Sequence, residues 1–161
     1  MYYKKRGQAW GFDLMAAMVI FITGIIIFYF YTINTPLETG QILNTLSREG
    51  EIVANAILSE GFPENWNEQN VISPGILTKN KINDTKLERF NNLTINNYPK
   101  TKALFNTKYE YYAFVSENFT INNQQIIGIG NIPLNDKNLI KISRLTVYRN
   151  KPIIFNLEIW E

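Results

Sequence analysis

The hydrophobic residues of this chain fall into segments with different periods, and the first segment has no period at all. From Leu14 to Ile33 no charged residue occurs, and Ile, Phe, Met, Ala and Tyr fill most positions. A helix of this length spans roughly 30 Å, which is the thickness of the hydrocarbon core of a bilayer. A chain of 161 residues has little protein to surround a helix that is apolar on every face. The pattern therefore predicts a transmembrane helix over residues 12–33.

A helical period appears after Pro36. Apolar or small residues recur at spacings of three and four, namely Leu43, Leu46, Gly50, Val53 and Ile57. This stripe predicts an amphipathic helix over residues 37–59, and residues 60–63 end it because Gly and Pro stop helices. Two partners remain open for the stripe: the chain's own sheet, or the same helix of another copy.

The period changes to two in the C-terminal third. Residues 62–107 are irregular, with short elements near residues 75–77 and 85–90 and a short helix at 99–105. Alternation then predicts strands at residues 109–115, 140–148 and 152–160, and another strand within residues 119–130. The last two strands are predicted to form an antiparallel hairpin. The last strand carries one fully apolar face, formed by Ile153, Phe155, Leu157 and Ile159. Such a strand indicates a sheet that is covered on one side.

Together these segments predict an α+β fold. An N-terminal transmembrane helix continues into an amphipathic stalk helix, which packs on a C-terminal antiparallel sheet of about four strands. The predicted divisions are a basic cytoplasmic signal head (1–11), the transmembrane helix (12–33), the stalk helix (34–60) and an extracytoplasmic β-rich head domain (61–161).

Charge gives the orientation of the predicted span. Lys4, Lys5 and Arg6 precede the apolar run, and no charge follows it until Glu38. By the positive-inside rule, the N-terminus stays in the cytoplasm and the chain from about Asn34 is exported. A cleaved secretory signal is the rival interpretation, but its apolar region would be only about 7–15 residues long and followed by a small-residue cleavage site. The sequence predicts a single-pass membrane protein in contact with lipid.

Composition narrows the chemistry of the exported part. The chain has no His and no Cys, which removes imidazole bases, Ser-His and Cys-His pairs, disulfides and most zinc sites. Lys4, Lys5, Arg6 and Asp13 account for the whole net charge of +2, so the exported part is neutral and lacks the basic surface of a nucleic-acid-binding protein. We expect no enzyme, no cofactor and no metal, although a Ser-Lys arrangement stays open.

The N-terminal motif supplies a resemblance. Lys5-Arg6-Gly7-Gln8 leads into the apolar run, and this order resembles the class III (Gly-Gln) prepilin signal of archaeal type IV pilin-like proteins. The match covers residues 4–33. The resemblance implies that a prepilin peptidase cuts between Gly7 and Gln8 on the cytoplasmic side. Such a cut removes the charges of Lys4, Lys5 and Arg6 and leaves the apolar helix on the mature protein, free to pack among copies of itself or other pilin-like subunits.

The resemblance also directs attention to Asp13. Pilins usually carry a Glu four residues after the new N-terminus, where it pairs with the amino group of a neighbour. Phe12 occupies that position here, and Asp13 follows it. Asp13 is the candidate assembly charge, or an interfacial carboxylate at the edge of the membrane.

Three weaker signals occur in the exported part. Asn83, Asn92 and Asn118 begin N-glycosylation sequons, a number close to that expected by chance. The segment Gly128–Gly130 suggests a strand bulge. A group of aromatic residues fits either a sugar-binding surface or core packing, and core packing is the expectation: Trp66, Tyr109, Tyr111, Tyr112 and Trp160.

Two functional hypotheses follow. The first is a pilin-like, membrane-anchored surface subunit that assembles into a cell-surface filament through its N-terminal helix. The alternative is a monomeric, single-pass anchored, extracytoplasmic binding module that carries a pilin-type signal.

Overall fold

The computed structural model describes residues 6–33, 37–121, 124–134 and 138–161, without the side chains of residues 6–10 and 37–39. The chain divides into two compact units, Met1–Gly40 and Gln41–Glu161. The predicted join between the transmembrane and stalk helices falls on residues 34–36, which lie outside the described residues.

The fold is α+β, with an apolar N-terminal helix and a C-terminal antiparallel sheet. Its elements, in chain order, are α1 (Arg6–Ile33), α2 (Leu37–Ile57), β1 (Leu77–Thr78), β2 (Lys81–Ile82), α3 (Asp84–Asn96), α4 (Tyr98–Leu104), β3 (Glu110–Ile121), β4 (Gln124–Gly130), β5 (Leu139–Tyr148) and β6 (Lys151–Trp160).

The four-stranded sheet has the order β4-β3-β6-β5, and each neighbouring pair is antiparallel. The predicted hairpin is confirmed, with Tyr148 paired to Lys151 across the turn. The predicted apolar face of β6 is also confirmed, because Phe155, Leu157 and Ile159 are fully buried. The opposite face of β6 is less exposed than alternation suggests: Trp160 is only 5% exposed.

The strand predicted within residues 119–130 is confirmed as β4, which occupies the second part of that range. Phe119 to Ile121 complete the long strand β3, and β4 begins only at Gln124. The register breaks between Phe114, which pairs with Gly128, and Phe119, which pairs with Ile126. The bulge expected in Gly128–Gly130 therefore lies next to this segment, in β3. Polar residues interrupt the apolar alternation of β3 at the bulge. The predicted strand therefore ended at residue 115, whereas β3 continues to Ile121.

Helix α2 packs on the sheet of its own chain, so the sheet is the partner of the apolar stripe predicted on this helix. Leu46, Val53 and Ile57 belong to the same buried cluster as the inner face of β6, and none is more than 1% exposed. The approach is close: a Cβ atom on Gly50 would lie 2.5 Å from Ile142 Cδ1 and 2.9 Å from Ile159 Cγ2. Only a residue without a side chain fits there without displacing a neighbour.

The residues between α2 and β3 form a compact cover on one side of the core. Trp66 is fully buried and donates its indole N–H to the carbonyl of Gly75 at 2.9 Å. Asn83 caps α3 by accepting from the backbone N–H of Lys86, and Asn97 caps α4 in the same way. These caps explain why an irregular, Asn-rich stretch forms two helices.

Candidate functional site

The predicted processing site lies in the first turns of α1. This helix begins at Arg6, so the backbones of Gly7 and Gln8 are helical. Their side chains, and the whole of Lys4 and Lys5, lie outside the described residues.

The remainder of α1 is long and apolar enough to cross a membrane. Gly11–Ile33 contains 23 residues with a mean hydropathy of 2.4 in its most apolar stretch, and none of that stretch is buried among the residues that the structure describes. A signal sequence near the N-terminus satisfies the same criteria. The two threonine hydroxyls of this segment are internally satisfied: Thr23 donates to the carbonyl of Val19 and Thr32 to that of Phe28, both at 2.8 Å. Internal satisfaction of this kind is what an apolar solvent requires.

Two glycines of α1 have no packing role inside the chain. A Cβ atom on Gly11 or on Gly24 would meet nothing within 4 Å. This contrasts with Gly50 in α2, where the sheet excludes a side chain. The described surface around Gly11 and Gly24 is therefore accessible to another helix or to lipid.

Asp13 is exposed on α1, one turn into the helix from the predicted new N-terminus. Gln8 and Asp13 are five positions apart, which places them roughly 140° apart around the helix and about 7.5 Å apart along its axis. A residue at position 12 would lie only about 40° from position 8. Asp13 therefore lies on a different side of the helix from position 8.

The three sequons lie in different environments. Asn83 is half-buried and serves as the cap of α3, with its Oδ1 3.1 Å from the backbone N of Lys86. Asn92 is exposed on α3, but the hydroxyl of Thr94 in its sequon is buried and donates to the carbonyl of Phe90. Asn118 is half-buried in the β3 bulge with a φ of 60°. All three have backbone positions fixed by the fold.

The aromatic residues considered for sugar binding are core residues, as expected. The exposed fraction does not exceed 9% for any of Trp66, Tyr109, Tyr111, Tyr112 and Trp160. Among the described residues, no group of three or more Asp or Glu side chains is arranged to hold a metal ion.

A polar cluster that the sequence did not indicate connects α4 to the sheet. Glu110 accepts from Lys102 Nζ at 2.5 Å and from Asn131 Nδ2 at 2.7 Å. The hydroxyl of Tyr98 accepts from the backbone N of Tyr111 at 3.0 Å. Partial burial opposes ionisation of Glu110, but hydrogen bonds from Lys102, Tyr98 and Asn131 outweigh it and hold the pKa below its ordinary value. Burial raises the pKa of the Tyr98 hydroxyl. The members come from separate elements, so spacing alone gives no signal for the cluster.

A second unexpected feature is a buried lysine. Lys86 is 5% exposed, and its ammonium donates to the carbonyls of Glu60 and Leu77 at 2.8 and 2.9 Å. These bonds attach α3 to the segment after α2 and to β1. The lysine thus has a structural role in joining the helical cover to the rest of the head.

Comparisons of the chain with protein-family models, with curated proteins and with solved structures returned no match.

Proposed function

We propose that the protein is a pilin-like, membrane-anchored surface subunit whose N-terminal helix drives assembly into a cell-surface filament. The observation that carries the proposal is the Arg6-Gly7-Gln8 motif, which directly precedes a helix that is long and apolar enough to cross a membrane. Cleavage at Gly7 would remove the basic residues that hold this helix in the bilayer. The mature helix could then exchange lipid for neighbouring helices.

The structure of α1 supports this exchange. Its side chains from Phe12 onward are exposed, among them Phe21, Phe28 and Tyr31 at 69, 71 and 76%. An apolar surface of this extent needs lipid or protein around it, because about 25 cal/mol is lost for each Å² of apolar surface left in water. Gly11 and Gly24 allow another helix to approach closely.

The structure of the head supports a subunit that folds before it assembles. Helix α2 supplies four core residues that are at most 1% exposed: Leu46, Val53, Ala54 and Ile57. These α2 residues and the inner face of the sheet belong to one buried cluster within Gln41–Glu161.

In this proposal Asp13 and the amino group of Gln8 pair between neighbouring subunits. The helical geometry turns Asp13 away from its own terminus by roughly 140°. A charge left unpaired among packed apolar helices costs several kcal/mol, so both groups favour an arrangement in which they meet.

The first test determines the mature N-terminus by mass spectrometry of protein purified from its native membrane. We expect the wild type to begin at Gln8, and Gly7→Arg to retain Met1 because the peptidase needs a small residue beside the membrane. Gly11→Ala is the matched control, since a Cβ atom there meets nothing. If the wild type also retains Met1, the processing hypothesis is wrong.

The second test separates the filament from the anchored monomer. Asp13→Asn should reach the membrane at the wild-type level but yield less protein in sheared filament fractions, while Asp13→Glu should retain part of the yield. Normal filament yield from Asp13→Asn would remove the pairing role of this residue. Abundant wild-type protein in membranes with none in sheared fractions would favour the monomeric binding module.

A further inference from the structure

Strand β4 ends, and strand β5 begins, at one end of the sheet, here called the basal end. Strands β3 and β5 begin there and β4 and β6 finish there, because Glu110 and Leu139 both pair with Trp160, and Gly130 pairs with Tyr112. The described part of the connection from β4 to β5, residues 131–134, therefore lies at the basal end.

Helix α2 enters the head at this same end. Thr45 and Glu49 line one cavity together with Lys108 and Tyr109, which precede β3. Further along the helix, Glu51 lies 3.6 Å from Arg144 in the middle of β5. Leu58 then lines a cavity with Val147 and Pro152 beside the β5–β6 turn. The helix thus runs from the basal end to the opposite end, and Gln41 is on the basal side.

Only a short stretch of chain joins the apolar helix to the basal side of the head. Ile33 is the last residue of α1, and Gln41 begins the compact head unit. Even a fully extended chain between them reaches at most ~28 Å, at about 3.5 Å per residue. If α1 spans a membrane, Gln41 on the basal side is attached within this reach of the membrane-spanning segment.

Exposed aliphatic side chains lie at the basal end. Ile132 and Leu134 are 66 and 84% exposed, with Pro133 between them. The β5–β6 turn at the opposite end, in contrast, contains the exposed polar residues Arg149, Asn150 and Lys151. The base of the connection is firmly held, because the backbone N of Asn131 donates to the carbonyl of Tyr111 at 3.0 Å and its side chain donates to Glu110. Two large aliphatic side chains are thus held on a fixed base.

We propose that the basal end of the head docks on the outer surface of the membrane through Ile132 and Leu134. The inference rests on the membrane anchoring in the proposed function. Two aliphatic side chains are far too small a surface for a stable protein–protein interface, which requires about 1,000 Å². They suffice for shallow insertion at a lipid surface when a tether supplies a high effective concentration. The exposed pair Lys108 and Glu161, 3.9 Å apart at the same end, can remain in the headgroup region.

The test uses the absence of cysteine from the chain. A single Cys is introduced at Leu134 in the full chain and labelled with an environment-sensitive fluorophore. The protein is then reconstituted in phosphatidylcholine–phosphatidylglycerol vesicles with and without brominated acyl chains. Matched labels at Asn150 and Leu145 report the opposite end and an exposed aliphatic site on the sheet, which is 78% exposed. A label at Ile22 reports the apolar helix.

We expect strong quenching by brominated lipid at positions 22 and 134 and little at 145 and 150. Quenching at 22 without quenching at 134 would overturn docking while leaving the anchor intact. Quenching at 145 in place of 134 would mean that another face of the head meets the lipid. Absence of quenching at 22 would refute the anchor itself, and with it the basis of the docking. Equal unfolding temperatures for all labelled variants establish that the head remains folded.

Discussion

Truncation of Leu46 is the most direct measure of how far the head depends on α2. Leu46 is fully buried in the cluster that α2 shares with the sheet. Leu46→Ala removes buried methyl groups and leaves a cavity, which costs about 3–5 kcal/mol in well-packed cores. The higher helix propensity of Ala returns only a few tenths of a kcal/mol. We therefore expect a net loss of about 3 kcal/mol in the free energy of unfolding.

Leu43 offers a control on the same helix. It is 36% exposed, so Leu43→Ala should cost less than about 1 kcal/mol. Both variants are made in a chain that begins at Leu37 and are unfolded in urea, with circular dichroism as the signal. A loss of about 3 kcal/mol corresponds to roughly 10 °C in Tm for a domain of this size. Equal losses for Leu43→Ala and Leu46→Ala would refute the packing of the stripe on the sheet.

Two further predictions concern the same unit. A chain that begins at Gly61 lacks α2, so the inner face of the sheet is uncovered; light scattering should show aggregation, whereas the chain from Leu37 stays monomeric. Lys86→Met leaves the carbonyls of Glu60 and Leu77 without their buried donor and should lower the free energy of unfolding by about 1–3 kcal/mol. Urea unfolding beside Lys151→Met, an exposed lysine, measures this loss, and equal stability of the two variants would contradict a structural role for Lys86.

Sequence periodicity predicted the elements whose burial is regular. The stripe of α2 and the alternation of β6 each face one core, so apolar residues recur at the period of the backbone. Only the first part of strand β3 was predicted, because its bulge changes the alternation between Phe114 and Phe119. Helices α3 and α4 were only partly foreseen. Their Asn caps resemble ordinary loop residues in a chain where Asn is frequent.

The candidate sites also differ in how far the sequence could predict them. The processing motif is contiguous in sequence, so its interpretation came from sequence alone and stays a prediction. The Glu110 cluster and the carbonyl partners of Lys86 join residues that are distant along the chain. The exposure of Ile132 and Leu134 at the basal end depends on strand order, which alternation does not specify. These three features depend on the tertiary structure, so the sequence alone could not predict them.

The Glu110 cluster makes stability depend on pH in a defined direction. The pKa of Glu110 in the folded protein lies below its ordinary value of 4.5. A carboxylate with a depressed pKa contributes stability above the unfolded-state pKa and loses that contribution as pH falls through the folded-state value. Glu110→Gln cannot ionise, so it should be less stable than the wild type at pH 7.

This deficit should shrink as pH falls below 4.5 and vanish once the wild-type carboxyl is protonated. Lys102→Met removes the ammonium that lies 2.5 Å from Glu110 and should show the same pH dependence. A double-mutant cycle at pH 7 should give a coupling free energy between the two residues that disappears at low pH. Because Glu110 also accepts from Asn131, its protonation should loosen the base of the connection that carries Ile132 and Leu134. A deficit for Glu110→Gln that stays constant from pH 7 to pH 3 would mean that packing, rather than charge, accounts for the role of this residue.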